Sequence, residues 1–399
     1  MAAVDDRPAT SLTAVVSRFP APSQTFIRRK LTGLRDAGMD VHVAATVVGD
    51  AGPTGLEVSG LLPWSTPTRT FEPSARRAWV GVARGLRTTL PGSRRSPVDA
   101  LVQAPVAAMD TDWVHFEFSG IAVTYAPAVE ALRRRGTRIG LSCRGAAEQI
   151  EPLVDPRRAE LLRRAFDQAD LIHCVSDDMR RTVEGFGAPP ERILVNRPAV
   201  PVADFVGLRR SEPRTDGPLR VLSIGRLHWK KGLDDGLRAV AGLRDRGVDV
   251  EYRIVGDGEE RDKLTFLIAE LDLRESVTLL GTRDSAEVRA ELDRCDVLLL
   301  PSLSEGISNA VLEAMAAGRP VVTTRCGGME EVVTTGVDGL LVDVGDHETT
   351  TEHLAQLAGD ADLRQRLAGA AGRRADEDFD LSRQVRLFQG VYEGGVVNP

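Results

Sequence analysis

Two glutamates, Glu305 and Glu313, stand eight residues apart around the start of a predicted helix. Free backbone amides at the N-terminus of a helix attract anions. The residues that would offer such amides here are Gly306, Ile307, Ser308 and Asn309. One carboxylate before an anion site and one within the helix suit a ligand with both phosphate and hydroxyl groups, such as a nucleotide-sugar. In isolation, the two glutamates are more typical of a helix-start residue and a solvated residue.

The surrounding pattern predicts where these glutamates lie. The apolar run Val297–Leu300 predicts a buried parallel strand, and residues 309–317 have the apolar spacing of a helix. Gly318 and Pro320 end that helix, and Val321–Thr324 predicts the next strand. The loop that carries Glu305 is therefore expected at the carboxyl end of a strand, where open α/β sheets bind their ligands.

Basic residues follow another predicted strand, which starts at Leu219 and ends at Gly225. Arg226 and Lys231 flank the turn into a helix, and cations at such a turn are good phosphate ligands. Taken alone, this loop is also typical of a solvated charged surface. The next predicted strand, Val250–Val255, is followed by Gly256 in a Gly-Asp-Gly sequence that lacks the third glycine of a dinucleotide-binding fingerprint.

Polar residues also lie at predicted strand ends in the first half of the chain. The strand over 113–118 carries His115 and Glu117, and the strand over 138–143 is followed by Arg144. An arginine at a strand end is usually structural, but this one would face the predicted ligand cleft. These residues are candidates for contacts to the ligand from the first domain.

Strands alternate with helices throughout the chain, which predicts two doubly wound parallel sheets, each an α/β Rossmann-like domain. Residues 197–218 hold four prolines and lack periodicity, so they predict a linker. The expected division is a first domain over 1–205, a second over 206–380, and a last helical segment over 381–399 that could cross back to the first. Two such domains would face each other across a cleft.

The composition excludes several classes of protein. The chain has 399 residues, of which 42% are hydrophobic and 27% charged, as in ordinary globular proteins. It has no apolar run of about 18 residues and no signal-peptide pattern at Met1, so we expect a cytoplasmic protein. Its four cysteines are scattered, which predicts free thiols and not a disulfide framework or zinc site. The formal charge of −7 gives no reason to expect nucleic acid as a partner.

One segment could contact a membrane surface. Residues 73–90 predict an amphipathic helix with four arginines beside Trp79, Val80 and Leu86. A basic amphipathic helix can lie on an anionic membrane, which would make the protein peripheral to the inner membrane face. More often such a helix packs on its own core and exposes its charged face to solvent.

Several linked motifs together resemble one family, the retaining glycosyltransferases of the family 4 kind, which have the GT-B fold. The resemblance is strongest over about residues 219–345, where Glu305 and Glu313 form the Glu-x7-Glu motif. Gly225-Arg226 with Lys230-Lys231-Gly232, Val255–Gly258 and Gly318–Val322 accompany that motif in the family's order. The first half resembles the exopolysaccharide subgroup more weakly, through Phe19-Pro20 and Ser23–Phe26.

The resemblance implies a role for each matching residue. Arg226 and Lys231 would hold the donor diphosphate, Glu305 would contact the hydroxyls of the donor sugar, and Glu313 would bind the ribose. The amides from Gly306 to Asn309 would meet the phosphate. The family's enzymes need no bound metal or other cofactor, because fixed cations and amide dipoles stabilise the leaving diphosphate. The acceptor would be a polysaccharide, a lipid-linked glycan or a small secondary metabolite.

Arg144 departs from the family pattern. Many relatives have a histidine before the glycine at this strand end, where this chain has Arg144-Gly145. An arginine can bind a phosphate or a hydroxyl, but it cannot act as a base near neutral pH. In the retaining mechanism the donor phosphate oxygen takes the acceptor's proton, so catalysis does not require that histidine. His115 is the other candidate for this contact.

Two alternatives remain beside a glycosyltransferase. A sugar-nucleotide epimerase or hydrolase on the same fold would convert the donor without an acceptor. A catalytically inactive nucleotide-sugar-binding protein is the third interpretation, and Arg144 is the reason to consider it. Turnover with and without an acceptor separates the three.

Overall fold

A computed structural model of the chain describes residues 9–21, 24–49, 54–61 and 97–395, so the helix predicted over 73–90 lies outside the described residues. The chain forms two compact units. Unit 1 comprises Met1–Asn196 and Gln384–Pro399, and unit 2 comprises Arg197–Arg383. The sequence predicted the corresponding divisions after residues 205 and 380.

Unit 1 contains, within the described residues, a parallel sheet of seven strands in the order β3-β2-β1-β4-β5-β6-β7. The strands are β1 (Ser11–Phe19), β2 (Asp40–Val48), β3 (Glu57–Gly60), β4 (Trp113–Phe116), β5 (Arg138–Cys143), β6 (Leu171–Cys174) and β7 (Ile193–Val195). The helices are α1 (Thr25–Asp36), α2 (Pro97–Ala107), α3 (Ser119–Thr124), α4 (Ala126–Arg133), α5 (Ala146–Gln149), α6 (Glu151–Val154), α7 (Arg157–Gln168) and α8 (Asp177–Gly185). All residues of β4 and β6 are buried, as expected for strands covered on both faces.

Unit 2 contains a parallel sheet of six strands in the order β10-β9-β8-β11-β12-β13. The strands are β8 (Leu219–Ile224), β9 (Val250–Val255), β10 (Val277–Gly281), β11 (Val297–Leu300), β12 (Val321–Thr324) and β13 (Leu340–Val342). The helices are α9 (Leu233–Asp245), α10 (Arg261–Glu270), α11 (Ser285–Arg294), α12 (Asn309–Ala316), α13 (His347–Gly359), α14 (Ala361–Asp378) and α15 (Leu381–Tyr392), whose residues from Gln384 onward belong to unit 1. Strands β8 and β11 are neighbours near the middle of this sheet, so the loops that follow them emerge side by side.

The segment after the first two strands differs from the prediction. The sequence of residues 50–72 has no hydrophobic period and predicts irregular structure, but β3 pairs with β2 in parallel, with Glu57 opposite His42 and Ser59 opposite Ala44. A four-residue strand with two polar members has no hydrophobic period of its own. Its strand conformation comes from the hydrogen-bonding edge of β2, which local sequence does not encode.

The predicted linker belongs to the core of unit 2. Val200, Val202 and Phe205 are each at most 5% exposed and pack in a hydrophobic cluster with α12 and β11. Two short 3₁₀ turns, Val202–Asp204 and Val206–Leu208, carry the chain across this surface. The prolines therefore mark a stretch without repetitive structure that is nevertheless packed.

The four cysteines are free and buried, as predicted. Helices long and apolar enough to cross a membrane are absent from the described ranges. The same ranges hold no group of three histidine, cysteine or acidic side chains placed to bind a metal ion.

Candidate functional site

Two loops of unit 2 meet at the carboxyl ends of β8 and β11. The amide of Leu303 donates to the carbonyl oxygen of Lys230 at 2.7 Å, and the amide of Ser304 donates to the same oxygen at 3.3 Å. Lys230 lies in the 3₁₀ turn Trp229–Lys231 that leads into α9. These backbone bonds fix the loop before α12 against the loop before α9.

Lys231 and Glu305 form an ion pair where the two loops meet. The ammonium of Lys231 donates to Oε1 of Glu305, and the two side chains are 19% and 18% exposed. The stem of Lys231 passes over Gly225, where an added Cβ atom would lie 3.1 Å from Cε of the lysine. A partly buried cation next to a carboxylate can bind an anionic group and a hydroxyl group of one ligand.

Gly256 allows β8 and β9 to end in close contact. Its φ is +140°, and a Cβ atom there would lie 1.8 Å from the carbonyl oxygen of Gly225. Only glycine tolerates both this conformation and this approach. Gly256 therefore acts through the backbone, and the missing side chain of Gly225 leaves space for Lys231.

Arg226 has a different environment from Lys231. Its side chain is 64% exposed, and Nη2 donates to Oε2 of Glu259 at 2.9 Å. Nε2 of His228 lies 3.4 Å from the other oxygen of Glu259. Glu259 is a carboxylate that the sequence analysis did not predict at this site, and it neutralises Arg226 in this structure.

Two buried polar atoms, one in the loop before α12 and one in its first residue, have no hydrogen-bond partner within the part of the chain that the structure describes. Ser308 is the N-cap residue, but its side chain makes no capping hydrogen bond. Oδ1 of Asn309 and Oγ of Ser302 are buried and lack hydrogen-bond partners among the described residues. Glu313 lies four residues beyond Asn309, so both project from the same face of the helix. Buried polar atoms without partners are uncommon in native proteins, and a bound ligand would satisfy them.

Gly327 packs against the backbone of the loop that carries Glu305, and the sequence did not predict a role for it. It follows β12 with a φ of +53°, and a Cβ atom there would lie 1.8 Å from the carbonyl oxygen of Glu305. The amide of Gly328 donates to the carbonyl of Gly306 at 2.8 Å. The signal was the pair Gly327-Gly328, which follows β12, a neighbour of β11, after two intervening residues.

The two candidates in unit 1 have contrasting environments. Arg144 follows β5 and is 12% exposed, and its Nη2 donates to Oε2 of Glu117 at 2.8 Å. His115 lies inside β4 and is fully buried. Its Nε2 lies 2.8 Å from Oγ of Ser142, and its Nδ1 lies 3.0 Å from the hydroxyl of Tyr392.

The environment of His115 favours a structural role. Burial lowers the pKa of its imidazole well below the usual value, and the charges of Lys30 and Arg144 lower it further. The ring is therefore neutral and bonded at both nitrogens. Unit 2 brings Lys231, Glu305 and the backbone of Gly225, Gly256 and α12 together. The catalytic roles of these residues, of Arg144 and of His115 stay predictions.

Comparisons with known proteins identify the two halves of the chain separately. Residues 207–374 match the family described as glycosyl transferases group 1. Residues 23–199 match the glycosyl transferase 4-like domain. Each match falls largely within one of the two compact units.

Curated relatives match along almost the whole chain. The putative colanic acid biosynthesis glycosyltransferase WcaL of Salmonella typhimurium is 30% identical over 401 residues, which cover 92% of this chain and 96% of that protein. The amylovoran biosynthesis glycosyltransferase AmsK of Erwinia amylovora is 29% identical over 411 residues, with coverages of 96% and 99%.

Solved structures share the fold. The crystal structure of Anabaena Alr3699/HepE in complex with UDP has a TM-score of 0.75 at 17% identity and covers 96% of this chain and 99% of its own. Sucrose-phosphate synthase from Thermosynechococcus elongatus has a TM-score of 0.73, also at 17% identity, with coverages of 96% and 98%. At such low identity the likeness concerns the arrangement of the backbone.

Proposed function

Because the chain belongs to the group 1 glycosyltransferases of the family 4 kind, which have the GT-B fold, we propose that it moves a sugar from a nucleotide-sugar to an acceptor hydroxyl with retention of configuration. The observation that carries the proposal is the Lys231–Glu305 pair at the carboxyl ends of β8 and β11. A sugar diphosphate needs a cation for its phosphates and acceptors for its hydroxyls, and this pair supplies both within one contact.

The donor site lies in unit 2. Lys231 and Arg226 bind the diphosphate, and the amides of Gly306, Ile307, Ser308 and Asn309 meet a phosphate oxygen at the start of α12. Glu305 accepts hydrogen bonds from sugar hydroxyls, and Glu313 accepts them from the ribose. UDP is the first nucleotide to test, because HepE of Anabaena, which shares the fold, was crystallised with UDP and with UDP-glucose.

The chemistry requires a proton acceptor and a stabilised leaving group. The bond between the anomeric carbon and the phosphate oxygen breaks, and the nucleoside diphosphate leaves with the electron pair. The acceptor oxygen bonds to the anomeric carbon from the same face, and its proton passes to a phosphate oxygen of the leaving diphosphate. Lys231 and Arg226 stabilise the developing charge, so the site needs no metal ion in this proposal.

The acceptor binds unit 1, and a glycan is the class to test first. The two curated relatives described above are named for colanic acid and amylovoran biosynthesis. A lipid-linked glycan or a small secondary metabolite would fit the same reaction. Four free buried thiols are consistent with a reducing cytoplasm, where we place the reaction.

The test begins with donor binding. Melting temperature is measured with UDP, GDP, ADP and dTDP and their sugars, on the wild type and on Glu305→Ala. A selective rise for one sugar that is lost in the variant would identify the donor and support the site. Product analysis by NMR with glycan acceptors then gives the anomeric configuration.

Measuring conversion of the donor with and without an acceptor distinguishes the proposed transferase from its two alternatives. An epimerase or hydrolase converts the donor with no acceptor present. An inactive binding protein is stabilised by the donor but does not convert it, whether or not an acceptor is present. An inverted anomeric product would contradict retention while leaving the donor site intact.

Glu259 should weaken donor binding by pairing with Arg226. Glu259→Gln removes the negative charge at constant size, so the diphosphate no longer competes with a carboxylate for Arg226. We expect the KM for the donor to fall about two- to fivefold with kcat unchanged, because an exposed ion pair is weak. The measurement is initial-rate kinetics at several salt concentrations, since the effect should shrink as salt increases.

Glu260→Gln is the matched control for that change. Glu260 is the next residue, and it pairs with Lys263 at 2.8 Å instead of Arg226. Its substitution should leave the donor KM unchanged. An equal fall in both variants would point to the overall charge of the loop and not to the Arg226–Glu259 contact.

A further inference from the structure

A cluster of three ionised side chains lies at the carboxyl ends of β4 and β5 in unit 1. Glu117 is fully buried and bonded by two cations, with Nζ of Lys30 on Oε1 and Nη2 of Arg144 on Oε2. Nε of Arg144 also donates to the carbonyl oxygen of Glu117 at 3.1 Å. Lys30 is 2% exposed, so Arg144 is the member of the cluster that reaches the surface.

The cluster carries an excess positive charge. Burial raises the pKa of the Glu117 carboxyl, but the charges of Lys30 and Arg144 outweigh burial and lower that pKa. Burial lowers the pKa of the Lys30 ammonium, and its hydrogen-bonded ion pair with Glu117 opposes this shift, so one carboxylate faces two cations. The nearby carboxyl of Glu148 does not offset this charge readily, because burial raises its pKa. It is bonded instead to the hydroxyl of Ser119 and the amide of Gly145. His115 and His173 are buried and neutral.

Hydrogen bonds hold the guanidinium of Arg144 in place, but not all of its N–H groups have a partner within the described residues. Its Nε and Nη2 are bonded to Glu117, and its Cζ lies 4.7 Å from the centroid of the Phe26 ring. Nη1 has no hydrogen-bond partner within the described part of the chain. A planar cation held on two edges and one face presents its remaining N–H groups in a single direction.

We propose that Arg144 is an anion-binding residue for the acceptor, and that the acceptor carries a carboxylate or a phosphate group. This inference rests on the proposed function and specifies the class of its acceptor. The anion would bind the free edge of the guanidinium and neutralise the excess charge of the cluster. An uncharged hydroxyl would leave that charge unmatched.

Lys30 and Glu117 are positioning residues in this arrangement. Neither reaches the surface, and their contribution is to hold the guanidinium in place before the ligand arrives. A guanidinium that is already fixed loses little conformational freedom on binding, which favours affinity. The phenylalanine ring excludes water from one face of the same group.

The experiment compares three small probes on the protein saturated with UDP, so that the diphosphate site of unit 2 is filled. The probes are methyl glucoside, methyl glucuronide and glucose 1-phosphate, which separate a neutral sugar from a carboxylate and from a phosphate. Dissociation constants are measured by ligand-observed NMR. For the wild type we expect at least one anionic probe to bind about tenfold or more tightly than the neutral sugar, as charge-assisted hydrogen bonds do.

Arg138 provides the matched control within the same strand. Arg138 is the first residue of β5, and Arg144 is the residue directly after the last one. The Cζ atom of Arg138 lies 4.6 Å from the centroid of the Trp113 ring. Arg144→Gln should reduce the preference for the anion to less than about twofold, and Arg138→Gln should retain it. Arg144→Lys keeps the positive charge but loses the planar guanidinium, so its preference for the anionic probe should be intermediate. This variant also serves as a control for folding.

The outcomes separate the inference from the proposed function. No preference for either anionic probe in the wild type would overturn the inference, and so would a preference that survives in Arg144→Gln or is lost in Arg138→Gln. Which probe is preferred distinguishes a uronic-acid acceptor from a phosphorylated one. The rise in melting temperature with UDP is measured on the same samples, and its absence would count against the donor site and not against Arg144.

Discussion

Replacing Lys231 with alanine should lower kcat/KM for sugar transfer about a hundred- to a thousandfold, the usual effect of removing one group that stabilises a leaving anion. The lysine is 19% exposed and contacts Glu305, so its charge acts in a partly dehydrated site. The fall should occur mainly in kcat, because the charge on the diphosphate grows as the glycosidic bond breaks. Steady-state kinetics with the donor identified by the binding panel measure it.

Lys230 is the control for that change. It is the preceding residue and has the same charge, but its Nζ lies 5.8 Å from the centroid of the Trp229 ring. Its contact with the other loop is made by its backbone carbonyl, which alanine retains. Lys230→Ala should therefore keep kcat/KM within about threefold of the wild type. Equal losses in the two variants, or full activity in Lys231→Ala, would refute the assignment of Lys231.

The fold and the enzyme class could be predicted because their signals are local. Strands such as β11 are continuous apolar runs, and α12 shows its period and its end within ten residues. Such elements alternate along the chain, which indicates parallel sheets without any knowledge of the pairing. The comparisons confirm the glycosyltransferase family and the GT-B fold, which the resemblance of the linked motifs around Glu305 and Glu313 implied.

The unpredicted parts of the site depend on contacts between distant residues. Glu259 lies 33 residues after Arg226 and reaches it only because β9 ends beside β8. The sequence makes His115 a candidate for a ligand contact because it lies beside Glu117 on a strand predicted over 113–118. In a parallel sheet covered on both faces, however, neither side of a strand reaches solvent, so its imidazole bonds to Ser142 and Tyr392.

Gly327→Ala should reduce kcat/KM by a hundredfold or more, although this residue contributes no side chain to the site. The new methyl group would lie 1.8 Å from the carbonyl oxygen of Glu305, which a van der Waals contact does not allow. The loop must move by about 1 Å, and a misplacement of that size can cost about a hundredfold in rate. Donor binding should weaken in parallel, because Lys231 loses its contact with Glu305.

Gly336→Ala separates the steric clash from backbone strain. Gly336 has a φ of +78°, and a Cβ atom there meets nothing within 4 Å. Both variants place alanine in the left-handed region, which costs about 1–2 kcal/mol, so both should lower the melting temperature by similar amounts from strain alone. Gly327→Ala should melt lower still and lose activity, whereas Gly336→Ala should remain active. Normal activity in Gly327→Ala would mean that the Glu305 loop shifts freely without loss of function, and the fixed geometry of the Lys231–Glu305 pair would then not be required for catalysis.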